Sequence, residues 1–163
     1  MRRVLVAGIG NVFRGDDGFG VAVARLLAQR TLAAGVEVVD FGIRGLDPVY
    51  ALLDGCDAAV LVDAVARGDP PGTLSVIAPE PDASLPDEAL LSPHEIDPRK
   101  VLRLAAVLGC RCAPVLLVGC EAATFGDDAF GVEGLSVTVA VSVAPAADLV
   151  EGLARELTLE EAA

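Results

Sequence analysis

Basic residues are scarce in this chain: 12 Lys and Arg stand against 24 Asp and Glu, for a formal net charge of −12 over 163 residues. So acidic a protein repels phosphate backbones and anionic lipid surfaces, which argues against nucleic acid and against a polybasic membrane anchor. Aromatics are also few, 4 % against 53 % hydrophobic residues, so the core must be built from Val, Leu and Ala. That composition suits parallel strands covered by helices on both faces. No run of about 20 uninterrupted apolar residues occurs, and no membrane span is expected. The opening "MRRVLVAGIG" is short and broken by glycines, so it reads as a first strand rather than a leader, and the protein is expected in the cytoplasm.

Cysteine patterning is equally thin. Cys56, Cys110, Cys112 and Cys120 make no CxxC pair and no zinc-ribbon spacing. Reduced, largely buried thiols are expected, with a Cys110–Cys112 redox pair as the alternative. No Walker A sequence and no Gly-x-Ser-x-Gly elbow occurs. "GIGNVF" begins like GxGxxG but lacks the third glycine. Asp40, ending the second strand, is what keeps a nucleotide-binding reading with Gly8 and Gly10 open.

The length allows one domain with a sizeable core, here taken as residues 1–163 with 158–163 as a fraying tail. "RRVLVAG" is strand 1. Phe19, Val23, Leu26 and Leu27 then repeat at helical spacing, with Asp16 or Asp17 as a natural cap. Strand 2 is 36–42. A short helix through Leu46, Val49, Tyr50 and Leu53 follows, with Asp47 as cap, Pro48 at its start and Gly55 as stop. Strand 3 is the apolar run 58–65 and strand 4 is 72–78. Their short separation predicts a hairpin, which makes strand 4 antiparallel.

Residues 79–97 are proline-rich and without period, a loop long enough to be functional. Asp97 and Pro98 open a helix bearing Val101, Leu104, Ala105 and Leu108. "APVLLVGCEA" is strand 5. "LSVTVAVSV" has local β-propensity, but it leads into a clear helix over 146–157. It is read as helix, kinked at Pro145. The order β-α-β-α-β-β-α-β-α predicts one three-layer α/β domain: a mostly parallel five-stranded sheet with one antiparallel strand and helices on both faces.

Ligands of such sheets bind at the C-terminal strand ends. Strand 1 delivers Asn11, Asp16 and Asp17 there, in "GNVFRGDDGFG". Strand 2 delivers Asp40. Strand 3 delivers Asp63, a carboxylate in the apolar "VLVDAV" that must be paired, hydrogen-bonded or metal-bound. The long loop carries His94, the only histidine, just before a helix start that favours neutral imidazole. One of Asp16 and Asp17 can cap the helix, leaving the other available. Two carboxylates and one His suit a divalent ion such as zinc or nickel, with positions open for water or substrate.

These residues carry a resemblance. "GIGNVFRGDDGFG", "DAAVLVDAV", "SPHEIDPRKVL" and "GLS" before the last helix are similar, in order and spacing, to the hydrogenase maturation endopeptidases. The resemblance implies a sheet flanked by helices. It also implies a peptidase that removes a C-terminal extension from the large-subunit precursor of a nickel–iron hydrogenase once nickel is installed. By motif, Asp17, Asp63 and His94 become the nickel-sensing and catalytic set, with Asp16 in support and the nickel supplied by the precursor. Asp40 and Gly42, extended by Arg44 and Gly45, match a substrate-recognition loop, and Asn11 is placed with them. The echo "FGDDAFG", with Asp127 and Asp128, is read as loop, with Gly134–Ser136 opening the last helix. A monomer that meets its substrate transiently is expected. A non-catalytic nickel-docking module is the alternative.

Overall fold

A computed structural model describes residues 1–43, 45–80, 98–126 and 134–160. Strands β1 (Val4–Ile9), β2 (Val36–Gly42), β3 (Ala58–Val65), β4 (Leu74–Ile77) and β5 (Val115–Glu121) form one sheet in the order β2-β1-β3-β5-β4. β1, β2, β3 and β5 run parallel, and β4 is antiparallel to β5. Helices α1 (Phe19–Leu27), α4 (Val137–Ala140) and α5 (Val143–Leu159) cover one face, while α2 (Asp47–Leu53) and α3 (Pro98–Val107) cover the other. The period-2 alternation of β1 divides the two cores: Val4 and Val6 join Phe19, Val23 and Val150, whereas Leu5, Ala7 and Ile9 join Val49, Leu52 and Val101. The expected three-layer architecture is what the chain adopts.

Four local expectations are corrected. Strands 3 and 4 are not a hairpin, because β5 lies between them. β5, "VLLVGCE", buries its second half completely and takes the interior position, while half-exposed β4 takes the edge. The connection from β3 therefore arches over the end of β5. Glu121 holds it there: its carboxylate, 6 % exposed, accepts the Arg67 and Gly68 N–H groups at 2.9–3.1 Å.

The break in the last helical region falls at Val141 and Ser142, one turn before Pro145. Proline has no N–H to offer the carbonyl four residues back, and its ring clashes with it; here that residue is Val141. Finally, the tail does not fray from 158. α5 runs to Leu159, Thr158 is buried, and Arg2 donates to the Glu160 carboxylate at 3.0 Å.

Asp47 is the first residue of α2 rather than its cap, which is Leu46; Gly55 at φ +93° ends that helix as expected. The segment Val137–Leu159 reaches the length and hydropathy of a membrane span despite its interspersed charges. Its apolarity has a use in the fold: Ala146, Ala147, Val150, Ala154 and Leu157 pack into the core against β1 and α1.

Two glycines set how closely α1 approaches the sheet. A Cβ on Gly20 would lie 2.1 Å from the Val62 carbonyl oxygen and 2.4 Å from that of Ile9. One on Gly8 would lie 2.5 Å from the Gly20 oxygen. These contacts are with backbone, which cannot yield cheaply. Gly20→Ala is expected to lose about 2–3 kcal/mol in urea denaturation, because α1 must lift off β1 and β3. The glycines of "GIG" and "GFG" are thus spent on packing. Gly8 faces the helix and has no space to approach a nucleotide, and the nucleotide-binding reading loses its basis.

Candidate active site

The connections leaving β1 and β3 run to opposite sides of the sheet, with α1 on one face and α3 on the other. The crevice at their C-terminal ends is the topological switch point where α/β sheets bind ligands. β1 is followed by Gly10, whose φ of +139° lies outside the ordinary range of L-residues. A Cβ there would meet the Asp17 carbonyl oxygen at 1.8 Å and the Asp63 carboxylate oxygen Oδ1 at 3.7 Å. Gly10 is therefore the point on which the backbone of Asp17 and the side chain of Asp63 converge. A 3-10 turn (Gly15–Gly18) carries Asp17 back to that point, and Asp63 stands near the end of β3.

The two carboxylates are held differently. Asp63, 7 % exposed, accepts the Ala64 N–H at 2.8 Å through Oδ1. Asp17 accepts the Asn11 N–H at 2.9 Å through Oδ2. Burial pushes the Asp17 carboxyl above its ordinary range, while the Asn11 bond and the charge of Arg14 pull the other way. A buried carboxylate gains from a nearby cation. The described residues thus supply two oxygen donors suited to a divalent ion. No cluster of three or more His, Cys, Asp or Glu side chains with metal-site geometry occurs among them. His94, the third expected donor, lies outside the described residues, as do Arg44, Asp97, Asp127 and Asp128.

Asp16 caps neither the 3-10 turn nor α1, contrary to expectation. Its carboxylate is fully buried and reaches across the chain. Oδ1 accepts the Ser136 N–H at 2.7 Å. Oδ2 accepts the Ala123 and Thr124 N–H groups and the Ser136 hydroxyl at 2.8–3.1 Å. Burial would raise its pKa, but these four bonds outweigh it and hold the group below its ordinary range. Asp16 ties the turn under Asp17 to the end of β5 and to Ser136, the residue that opens α4. Nothing in the local sequence marks Ser136 as its partner.

Asn11, Asp40 and Gly42 line one groove of about 320 Å³ beside the carboxylates. Asn11 uses its Oδ1 to accept the Phe13 N–H at 2.9 Å. Asp40 accepts from Arg25 Nε at 3.2 Å. Gly42, at φ +54°, follows a bulge that sets Ile9 opposite Gly42 instead of Phe41 and bends the end of β2. The rim is apolar: Phe13 and Ile43 are 60 % and 62 % exposed. Neither is marked in the sequence, since one apolar residue in a loop carries no signal by itself, and Arg25 reads there only as a charged position of α1.

Cys120, at this end of the sheet, is wholly buried, and burial pushes its thiol up to about 11, so it is not placed to act as a nucleophile.

A family model described as "HycI: Hydrogenase maturation protease" matches residues 21–153. The chain is 33 % identical over 126 residues to the hydrogenase expression/formation protein HupD of Rhodobacter capsulatus, covering 77 % of this chain and 60 % of that relative. Two further curated relatives are likewise covered over only 59 % and 58 % of their length. Among solved structures, the hydrogenase maturating endopeptidase HybD from Escherichia coli superposes with a TM-score of 0.74 at 26 % identity, covering 95 % of this chain and 93 % of that one. A NiFe hydrogenase maturation protease, HycI, from Thermococcus kodakarensis gives 0.72 at 26 % identity, covering 94 % and 93 %. With the family model spanning most of its length, this chain belongs to the hydrogenase maturation protease family.

Proposed function

We propose that this protein is an endopeptidase that removes the C-terminal extension from the nickel-loaded large-subunit precursor of a nickel–iron hydrogenase. The observation that carries the reading is the meeting at Gly10 of the Asp17 backbone and the Asp63 carboxylate, with the Asp17 carboxylate on the neighbouring Asn11 N–H, at the switch point of a chain of this family. Asp17, Asp63 and His94 are the residues assigned to the reaction. Nickel is cargo of the precursor, and the two carboxylates with the imidazole would hold it so that the scissile bond lies over the ends of β1 and β3. Zinc or another divalent ion suits the same donors. A bound divalent ion supplies Lewis acidity toward the peptide carbonyl. The chain's own residues bind and orient.

The groove beside the carboxylates fits an extended peptide segment, with Asp40 and Gly42 at its floor and Phe13 and Ile43 at its lip. Replacing Phe13 and Ile43 by serine is expected to raise KM about 3–10-fold while leaving kcat near its value, since contacts remote from the reacting bond hold ground and transition state alike. The protein is taken to act as a cytoplasmic monomer that meets its substrate transiently.

The nickel requirement is tested by presenting precursor prepared with and without nickel at equal concentration. Cleavage restricted to the loaded precursor is expected. Equal cleavage of both would overturn the nickel role and leave a metal-independent aspartic-type peptidase.

A further inference from the structure

Three of the four cysteines, separated in sequence, gather at the end of the sheet opposite the candidate active site. β3 and β5 pair in parallel with Ala59 opposite Val115. Backbone bonds continue that ladder toward the N-termini: Ala59 N–H donates to the Pro114 carbonyl and Ala113 N–H to that of Asp57, both at 3.1 Å. Three residues before the Ala59–Val115 pair on both strands stand Cys56 and Cys112. Their sulfurs are 2.7 Å apart. Cys110 shares the Leu52 carbonyl with Cys56: the Cys110 Sγ donates to that oxygen at 3.4 Å and the Cys56 Sγ at 3.8 Å, and the Cys110 Sγ accepts the Cys112 N–H at 3.4 Å. The geometry therefore pairs Cys112 with Cys56, not with Cys110 as spacing alone suggests.

Cys56 also has a route to solvent. It lines an open cavity of about 310 Å³ together with Arg3, Val4, Gly35, Glu37 and Asp54. The Cys56 thiol is held below its ordinary range, first by its contact with Cys112 and in smaller part by the Arg3 guanidinium. The same contact, with burial, pushes Cys112 up. Cys56 lines the cavity and Cys112 touches it without lining that cavity, a placement that suits an attacking and a resolving cysteine.

We propose that Cys56 and Cys112 are a reversible dithiol site that reacts with low-molecular-weight disulfides. The Cys56 thiolate attacks one sulfur of the external disulfide, forming a mixed disulfide and releasing one thiolate. The Cys112 thiolate then attacks the Cys56 sulfur, forming the Cys56–Cys112 bond and releasing the second thiolate. The two protein thiols give up two protons and two electrons. The external disulfide accepts both electrons, and the protons end on the two released thiols. A disulfide needs its sulfurs about 2.05 Å apart, a small closure from the observed contact. The link would fasten β3 to β5 seven residues before Asp63, about 23 Å along the strand from the cleft.

The test is to treat the full chain with glutathione disulfide, quench with acid, and map unreduced peptides by mass spectrometry. The expected product is a single internal link between the Cys56 and Cys112 peptides, lighter by two hydrogens and reversed by dithiothreitol. In Cys112→Ser, Cys56 should stop at the glutathione adduct, and in Cys56→Ser Cys112 should react far more slowly. Separate glutathione adducts on both cysteines of the wild type, a Cys110–Cys112 link, or no reaction under conditions that oxidise a free cysteine peptide would each overturn the proposal. The wild-type map decides even if a serine variant folds poorly.

Discussion

Asp63→Asn should lower cleavage of the nickel-loaded precursor more than about a hundredfold while the protein stays folded. Residues that merely support a metal ligand typically cost 10–100-fold when removed, so loss of an assigned ligand should exceed that. The substitution keeps shape and retains an oxygen to accept the Ala64 N–H. What it removes is the charge at the end of β3, 7 % exposed and facing Gly10. Asp17→Asn and His94→Ala should fall in the same way, and because the three are assigned to one unit, the double variants should be little worse than the singles. Far-UV circular dichroism and the urea midpoint check the fold. A folded Asp63→Asn protein with near-normal cleavage would remove Asp63 from the reaction.

Asp16→Asn should be the more damaging change for stability, at about 4 kcal/mol. Both Asp16 oxygens accept, Oδ1 from one N–H and Oδ2 from two N–H groups and a hydroxyl. An amide placed there must turn its NH₂ toward donors whichever way it flips. Hydrogen bonds to a buried charge are worth about 1.5–3 kcal/mol each, and a buried unsatisfied donor costs a similar amount. The pH dependence has a definite sign. The folded pKa of Asp16 is depressed, so its contribution is present above the unfolded value, near 3.9, and is lost as pH falls through the folded value. The stability gap between wild type and Asp16→Asn should therefore be full at neutral pH and narrow below about pH 4. A gap unchanged at pH 3 would contradict the assignment. Asp17, whose pKa is raised, works in the opposite sense: its ionisation costs stability as pH rises through its folded value.

The framework of the fold was readable because it rests on local periodicity. The glycine-bounded apolar runs became β1, β3 and β5, and Phe19, Val23 and Leu27 face the core as their spacing required. Asp63 could be singled out because a carboxylate in a buried run needs a reason. What escaped was non-local. Short separation suggested that strands 3 and 4 pair, but an edge position for β4 is settled by how β5 buries both faces, some 40 residues later in the chain. Asp16 looked like a cap because its partner Ser136 is 120 residues away. Glu121 ends an apolar strand much as Asp63 does and drew no notice, although it anchors the loop that carries the chain over β5. The Cys56–Cys112 contact spans 56 positions, and only the register of β3 against β5 reveals it.

The central claim is that this cleft cuts a peptide bond near the precursor's C-terminus. Its most direct test is the intact mass of a nickel-loaded large-subunit precursor before and after incubation with the protein. The account predicts a shift equal to one defined C-terminal peptide, recovered in the supernatant, and no shift with Asp63→Asn. A precursor of unchanged mass that nevertheless co-elutes with the protein would contradict it and mark the chain as a nickel-docking module.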